Sequence, residues 1–345
     1  MGEREFCVAA DIGGTNLSLA LAERRDGKAT VAYRARYRSQ EERGIGPPLK
    51  RFLAEAEGAG FRGRLRSACL AGAGVASESA IAMSNVPWVL EAEEAARALG
   101  CPVLLVNDFR ALLEGIAARC PADRGPPDKA AFLPLMPAFA APALPSGSLF
   151  AAIGPGTGLG MGFAIAGEPL AAYPSEGGNI RFPAWDEDSF ALMEWMRSRL
   201  GREACAEDWV SGIGLGLSFE FEAERAGRPS GAAARVLAAA PAERAALVAA
   251  GAADDALCAR VMGRFWEAFA ACAADAALTF LPRALFLAGG ITAKNAWALA
   301  GGAFLGRFLA HGKPECAAAL AATPVFAVLD YDIGLYGAAE LAVRG

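Results

Sequence analysis

EFCVAADIGGTNLSLALAERRDGKA, residues 5–29, contains the pattern that decides the fold. An apolar run at 7–10 is followed by a turn-rich hexapeptide at 11–16 and a second apolar run at 17–22. This order predicts a strand, a tight turn and a second strand. LFAAIGPGTGLGMGFAIAG, residues 149–167, repeats the design. We therefore expect two lobes of related design, each opening on a hairpin whose glycine-rich tip exposes backbone amides.

The composition is that of a globular protein. The chain has 345 residues, of which 54% are hydrophobic and 21% charged, and its formal net charge is −5. That length predicts about two domains. Because the chain is acidic and has no run of basic residues, we expect neither nucleic acid nor an anionic membrane as a partner. The scattered cysteines and the single histidine argue against a disulfide framework and against a histidine-based zinc site.

One long segment raises the question of a membrane span. Residues 130–167 contain no charged side chain, but prolines and then glycines interrupt them throughout. No window of about 20 residues could form an uninterrupted helix there, so we predict no membrane span. The N-terminus lacks the bounded apolar segment of a secretory leader. We expect a cytoplasmic protein.

Strand and helix patterns alternate between the two hairpins. Apolar strands are predicted at 65–73 and 102–109, and helices at 90–100 and 110–120, which favours an α/β sheet with parallel members. A lone G-x-G-x-x-G match at Gly58, Gly60 and Gly63 follows a predicted helix at 47–57 instead of a strand. It is therefore read as a connector and not as a dinucleotide site.

The first glycine-rich turn, DIGGT, suits a phosphate. Gly13 and Gly14 remove the β-carbons that would block it, so backbone amides can point at the anion, and Thr15 can add a hydroxyl. Asp11 repels an anion, so beside a phosphate we expect it to hold magnesium, through water. The alternative is an ordinary hairpin turn.

The second turn and one strand end carry further candidates. Gly154, Gly156 and Gly158 surround Thr157, and such closely spaced glycines favour close approach of a ligand over packing alone. Asp108 ends a predicted buried parallel strand, where α/β sheets place their ligands, and could accept a proton from a substrate hydroxyl. Asn107 offers a donor and an acceptor to a sugar. The alternative is that both residues cap a helix that begins near Arg110.

Two further segments combine polar side chains with glycine turns. SEGGN contains Glu176 and Asn179, and AEDWVSG contains Glu207. Carboxylates and amides that converge on a pocket are what polyol recognition needs, because each hydroxyl must exchange water for a paired group. Ordinary surface positions remain the alternative for each of these residues.

Taken together, these motifs resemble one family. DIGGTN, MSNVPW, VNDF, GPGTGLG, SEGGN, EDWVSG and FLAGGI occur in the order and approximate spacing of the bacterial glucokinases. The resemblance covers essentially the whole chain and implies the two-lobed, ribonuclease-H-like α/β fold of the sugar kinase, heat-shock protein and actin superfamily, with ATP in an interlobe cleft. It implies a small lobe at 1–117 plus 330–345 and a larger lobe at 118–329.

The resemblance also implies an activity and a set of roles. The activity is transfer of the γ-phosphoryl group of ATP to the 6-hydroxyl of glucose, with Mg²⁺, by an enzyme that forms homodimers. Asp108 would be the catalytic base and would contact the sugar. The other sugar contacts would be Asn85, Asn107, Glu176, Asn179 and Glu207. The nucleotide would contact Asp11, Gly13, Gly14, Thr15, Asn16, Gly154, Gly156, Thr157, Gly158, Gly289 and Gly290.

Two departures from the family pattern keep alternatives open. Asn179 stands where the family usually has histidine, and Leu17 and Ser18 stand where it tends to place an arginine two residues after GGTN. Without that arginine, magnesium and backbone amides must neutralise the phosphates. The alternatives are a kinase for a different hexose, a weak or inactive sugar- or nucleotide-binding regulator, and an actin-like assembly protein.

Overall fold

The computed structural model describes residues 4–83, 86–120, 130–136, 138–139, 141–227, 231–299 and 302–345. Its strands are β1 Glu5–Ile12, β2 Asn16–Arg25, β3 Lys28–Arg38, β4 Arg64–Gly72, β5 Gly74–Ala76, β6 Ala80–Met83, β7 Val89–Glu91, β8 Val103–Asn107, β9 Phe132–Pro134, β10 Leu149–Pro155, β11 Leu159–Ile165, β12 Ala171–Ser175, β13 Leu285–Leu287 and β14 Val325–Val328. Its α-helices are α1 Gly46–Gly58, α2 Ala92–Leu99, α3 Asp108–Arg119, α4 Glu187–Leu200, α5 Gly212–Ala226, α6 Gly231–Ala238, α7 Pro241–Gly251, α8 Ala256–Phe280, α9 Gly290–Lys294, α10 Ala296–Leu299, α11 Ala303–Leu309, α12 Pro314–Ala322 and α13 Ile333–Arg344. Among these helices, none has the length and apolar character that a bilayer crossing requires.

The chain forms two compact units. The first comprises the described residues within Met1–Pro126, Gly167–Pro174 and Tyr331–Gly345, and the second those within Pro127–Ala166 and Ser175–Asp330. Each unit is built on a mixed sheet that opens with an antiparallel hairpin and continues with parallel strands. The predicted α/β fold class is confirmed. The lobe boundaries at 117–118 and 329–330 stay a prediction.

The sheet of the first unit has the strand order β3-β2-β1-β4-β8. The three strands β1, β2 and β3 are antiparallel, whereas β1, β4 and β8 run parallel. Ile12 lies opposite Gly72, and Gly72 lies opposite Asn107. The carboxyl ends of the parallel strands are therefore level, and this edge of the sheet carries both the tip of the first hairpin and the start of α3.

Alternating side chains of β1 enter two different cores. Phe6 and Val8 face the core that contains Leu49 and Phe52 of α1, as the helical spacing at 47–57 predicts. Residues on the opposite face of β1 pack against α13, the last helix of the chain. A β-carbon at Gly337 of α13 would overlap a backbone carbonyl of α3, so a glycine allows the two helices to approach closely.

The second unit repeats the hairpin-and-parallel order. Within it the strands follow the order β11-β10-β13-β14-β9, with β10, β13 and β14 parallel. The helices α5 to α8 pack around a core rich in aromatic rings, among them Trp209, Phe265 and Phe269. The predicted helical stretch at 231–280 contains three helices, α6, α7 and α8.

The strand β3 is the longest of those that were not predicted. The sequence KATVAYRARYR forms β3, which pairs with β2 along its whole length. Its residues are mostly half-buried or exposed, so the apolar signal that marks the other strands of this sheet is weak. This strand matters for the site because it brings arginines next to the first hairpin.

Candidate active site

The candidate residues of the first unit gather at the tip of the β1–β2 hairpin and at the start of α3. At the tip, the Gly13 amide donates to the carbonyl of Asn16 at 2.9 Å. Ser39 Oγ donates to the carbonyl of Gly13 at 2.7 Å, and Gln40 Nε2 donates to the carbonyl of Gly14 at 2.8 Å. The tip is therefore fixed through its carbonyl oxygens and through the Gly13 amide, so the amides of Gly14 and Thr15 are the ones that suit the predicted role of phosphate donors.

Asp11 lies at the end of β1, on the face that α13 covers. Its carboxylate is close to Gly334 of α13, where an added β-carbon would lie 2.9 Å from Asp11 Oδ2. Burial, and secondarily the negative charge of Asp332, raises the pKa of Asp11 to about 6, although Arg36 acts in the opposite direction. A buried carboxylate at the end of a strand suits a hard cation held through water, so Asp11 fits the predicted magnesium role, whereas both oxygens of Asp332 already accept from Arg34 and Arg36. Among the described residues, no cluster of three or more histidine, cysteine, aspartate or glutamate side chains forms a closed metal site.

The Asp11→Asn variant is expected to be more stable than the wild type at pH 7.5 by roughly 1–3 kcal/mol, because one pKa unit corresponds to about 1.4 kcal/mol. The folded pKa of Asp11 is raised from 3.8 to about 6, so ionised Asp11 opposes folding above pH 6. As the pH falls from 6 towards 4, the folded state gains the proton first and this penalty disappears.

Urea unfolding of both proteins across pH 4–8, in buffer with a chelator, measures this difference. The gain in the free energy of unfolding should shrink steadily below pH 6. An Asp332→Asn variant is the control, since it removes a carboxylate that binds two arginines and should not be stabilising. Equal stability of wild type and Asp11→Asn at pH 7.5 would contradict the prediction.

Asn107 and Asp108 stand at the junction of β8 and α3. Asn107 is the N-cap of α3, because its Oδ1 accepts from the Phe109 amide at 2.9 Å, and its Nδ2 donates to the carbonyl of Gly74 at 3.0 Å. The helix begins at Asp108, two residues before the predicted Arg110. The capping alternative therefore describes Asn107 correctly, and it leaves Asp108 at the first position of the helix.

The second unit contains the other phosphate loop, between β10 and β11. A β-carbon at Gly154 would lie 2.7 Å from the Ala288 carbonyl carbon, and one at Gly158 would overlap the Glu207 carboxylate. Only Gly156 of these three has open space where its β-carbon would be. The expectation that ligand approach explains all three glycines is thus corrected for Gly154, where packing against backbone suffices, whereas Gly158 meets only the end of the Glu207 side chain.

Glu207 connects this loop to the predicted sugar segments. Its Oε2 accepts from the Leu159 amide at 2.8 Å, immediately after the glycine-rich turn. The carbonyl of Leu159 contacts Gly178, where no β-carbon could be accommodated. The glycine loop, the SEGGN turn and the Glu207 segment therefore form one contiguous group that meets at Leu159.

The SEGGN turn is a short 3₁₀ helix with internal contacts between its polar groups. Asn179 Nδ2 donates to Glu176 Oε2 at 3.2 Å. Cys205 Sγ lies 3.8 Å from Asn179 Oδ1 and 3.2 Å from Asp208 Oδ2. Burial, with a contribution from the bond to Asp208, raises the pKa of the Cys205 thiol, so the thiol stays protonated and can donate. Asn179 is thus oriented by the Glu176 carboxylate, whereas the single proton of the Cys205 thiol goes to the nearer Asp208 oxygen.

Gly289 and Gly290 join β13 to α9, directly beside the second loop. Ala288 donates its amide to the carbonyl of Ile153 at 2.8 Å, and a β-carbon at Gly289 would overlap the carbonyl oxygen of Pro155. The predicted adenosine segment and the predicted phosphate loop are therefore in backbone contact. Asn85, the remaining predicted sugar contact, lies outside the described residues.

A family model for glucokinase matches residues 8–344. The chain belongs to the glucokinase family. The glucokinase of Nostoc punctiforme is 31% identical over 354 residues, which cover 98% of this chain and 98% of that protein. Among solved structures, the glucokinase of Balamuthia mandrillaris in complex with glucose superimposes with a TM-score of 0.80 at 21% identity, over 99% of this chain and 94% of that one. A ROK family glucokinase from Streptomyces griseus in complex with glucose and AMPPNP has a TM-score of 0.65 at 20% identity, over 99% and 100% of the two chains.

Several residues around the first loop of this glucokinase-family chain were not predicted. They are Ser39 and Gln40, which hold the hairpin tip, and Arg36, Tyr331 and Asp332, which surround Asp11 and Asn16. They reach the loop through the unpredicted strand β3 or from the far end of the chain. The GGTN motif itself contains no signal for either contribution.

Proposed function

We propose that this chain is an ATP-dependent glucokinase that transfers the γ-phosphoryl group of ATP to the 6-hydroxyl of glucose. The observation that carries the proposal is the level alignment of Ile12, Gly72 and Asn107 across β1, β4 and β8. It sets the phosphate hairpin and Asp108 on one sheet edge, two strands or about 10 Å apart. A polyphosphate chain and one hydroxyl oxygen can span that distance.

Asp108 would act as the general base of the transfer. It would accept the proton of the 6-hydroxyl as that oxygen attacks the phosphorus. Its place at the start of α3 favours the ionised form it needs, because a helix N-terminus carries partial positive charge. Asn107, fixed by Gly74 and Phe109, would present its second amide hydrogen to a neighbouring sugar hydroxyl.

The second unit contains the other residues with predicted roles. Glu176, Asn179 and Glu207 would bind sugar hydroxyls. The loop at Gly154, Gly156, Thr157 and Gly158 would receive phosphates, and Gly289 and Gly290 would border the adenosine. The shared contacts at Leu159 support this assignment, because they fix the sugar-binding and phosphate-binding segments relative to each other.

Asp11 would hold magnesium through water, and Asp332, whose two oxygens accept from Arg34 and Arg36, would not be a ligand. When bound, Mg²⁺ would neutralise charge on the transferred phosphoryl group. In the first loop the amides of Gly14 and Thr15 would orient the phosphates, and Gly13, whose own amide donates to the Asn16 carbonyl, would let them approach because it has no β-carbon. Asn16 would be kept in place by its hydrogen bond to the Tyr331 hydroxyl at 3.3 Å.

A coupled assay of ADP release, with a panel of hexoses and with or without Mg²⁺, tests the proposal. We expect magnesium-dependent turnover with glucose. Higher kcat/KM with another hexose would instead make the chain a kinase for that sugar, consistent with Asn179 in the sugar segment. Calorimetric binding of sugar with no turnover on any hexose would favour the regulator, and nucleotide-dependent filaments in sedimentation would favour the assembly protein.

We also propose that the protein is a cytoplasmic homodimer. Analytical ultracentrifugation tests the oligomeric state, and cell fractionation tests the location. A monomer at micromolar concentration, or recovery in the membrane fraction, would contradict these two proposals without affecting the enzymatic one.

A further inference from the structure

Three side chains form a row across the first sheet. Asp11 of β1 lies opposite Ser18 of β2, and Ser18 lies opposite Arg36 of β3. Residues directly opposite in adjacent antiparallel strands point to the same face, with their β-carbons about 5 Å apart. Ser18 is small, so the long side chain of Arg36 has room to lie across it towards Asp11.

The contacts of Arg36 place its guanidinium beside the hairpin. Arg36 Nε donates to Ser18 Oγ at 3.2 Å, and Nη2 donates to Asp332 Oδ1 at 2.5 Å. The guanidinium carbon lies 4.8 Å from the ring centroid of Tyr331, whose hydroxyl accepts from Asn16 at the hairpin tip. Arg36 therefore contacts β2, which follows the phosphate loop, through Ser18, and it contacts Tyr331, which binds the loop's last residue, Asn16.

Arg36 has hydrogen-bonding capacity to spare. Its side chain is 45% exposed, and within the described part of the chain its Nη1 has no hydrogen-bond partner. A fixed guanidinium with open N–H groups is the side chain best suited to a phosphate oxygen.

We propose that Arg36 supplies, from β3, the positive charge that the first phosphate loop presents to the phosphate chain of the nucleotide. This inference rests on the proposed function, because it takes the nucleotide as the ligand of that loop. It replaces the expectation that magnesium and backbone amides alone neutralise the phosphates in a chain that has Ser18 in the hairpin strand. The arginine comes from the neighbouring strand, at the position directly opposite.

The test is the affinity for magnesium–AMPPNP, measured by calorimetry, in variants that each replace one arginine. Arg36→Gln keeps much of the side chain and removes the charge, and we expect about tenfold weaker binding. Arg36→Lys should stay within about threefold of the wild type. Arg34→Gln is the matched control, because Arg34 binds the same carboxylate, Asp332 Oδ2, at 2.7 Å from the same strand. It should stay within about twofold.

A double variant tests the position directly. Ser18→Arg combined with Arg36→Ser moves the guanidinium from β3 to the opposite position on β2 and should restore at least a third of the wild-type affinity. Glucose KM should remain within about twofold in the whole series, and thermal unfolding establishes that each variant is folded.

Three results would overturn the inference. They are unchanged affinity in Arg36→Gln, equal losses in Arg36→Gln and Arg34→Gln, and a loss in Arg36→Lys as large as in Arg36→Gln. A wild type that binds magnesium–AMPPNP but phosphorylates no hexose would refute the proposed function while the affinity series still decides the role of Arg36. A wild type that binds no nucleotide would refute both.

Discussion

The Asp108→Asn variant is expected to lose kcat for glucose by about 100-fold to 10,000-fold, the usual contribution of a positioned general base. An amide cannot accept the proton of the attacking hydroxyl. The sugar and the nucleotide would still bind through the other residues, so both KM values should change by less than about threefold. A loss confined to kcat is the signature of an interaction made only in the transition state.

The fold should tolerate this change. The N-cap of α3 is Asn107, and Asp108 Oδ1 accepts from the Phe109 amide at 2.9 Å, a bond that the oxygen of asparagine can also accept. We therefore expect a change of less than about 1 kcal/mol in the free energy of unfolding. Glu187→Gln, at the equivalent first position of α4, is the matched control and should leave kcat unchanged. More than a tenth of wild-type kcat in Asp108→Asn would exclude Asp108 as the base.

The parts of the fold that the sequence predicts are those with a strong local pattern. The two hairpins and the parallel strands are short apolar runs bounded by turn residues, and the long helices of the second unit are rich in alanine and other strong helix formers. The strand β3 lacks an apolar run, because its side chains are all half-buried or exposed. It does alternate apolar and charged residues from Tyr33 to Arg38, and it pairs with β2 across the two-residue turn Asp26–Gly27, where both φ values are positive. This local hairpin signal was present in the sequence and was missed.

For the site, the sequence did not predict the contacts between residues that are distant along the chain. Asp11 and Asp108 could be predicted because each follows an apolar strand at a recognisable turn. Arg36 could not be predicted, since its importance comes from lying opposite Ser18, and Asp332 reaches Asp11 only because the last helix packs on the first sheet. Contacts between residues distant in sequence create the electrostatic environment of a loop whose backbone was predictable.

Glycines in the second unit illustrate a different limit. A glycine that lets a phosphate approach and a glycine that lets two backbone segments pack look alike in sequence. In the structure, Gly156 has open space at its β-carbon position. A β-carbon at Gly154 would overlap the backbone of Ala288, and one at Gly289 would overlap the backbone of Pro155. Gly156→Ala should therefore be close to neutral for stability, so any loss of nucleotide affinity in it would report on the ligand and not on folding.

The Gly289→Ala variant is expected to be destabilised by at least about 3 kcal/mol, which would unfold a domain of ordinary marginal stability at least in part. Gly289 has φ of 86° and ψ of 157°, a region that essentially only glycine adopts. Its β-carbon would also overlap the carbonyl oxygen of Pro155. Backbone strain and overlap both act here, and neither can be relieved by rotating a side chain.

Gly302→Ala measures the cost of a left-handed backbone at a position without any overlap. Gly302 has the same φ of 86°, with ψ of −21°, and no atom lies within 4 Å of its β-carbon position. It should therefore lose only about 1 kcal/mol, the backbone cost alone. Urea unfolding of the two variants and the wild type measures the difference. Similar losses at the two positions would mean that the backbone of β10 moves away from Gly289 without cost, and that the phosphate loop and the adenosine segment are not rigidly joined.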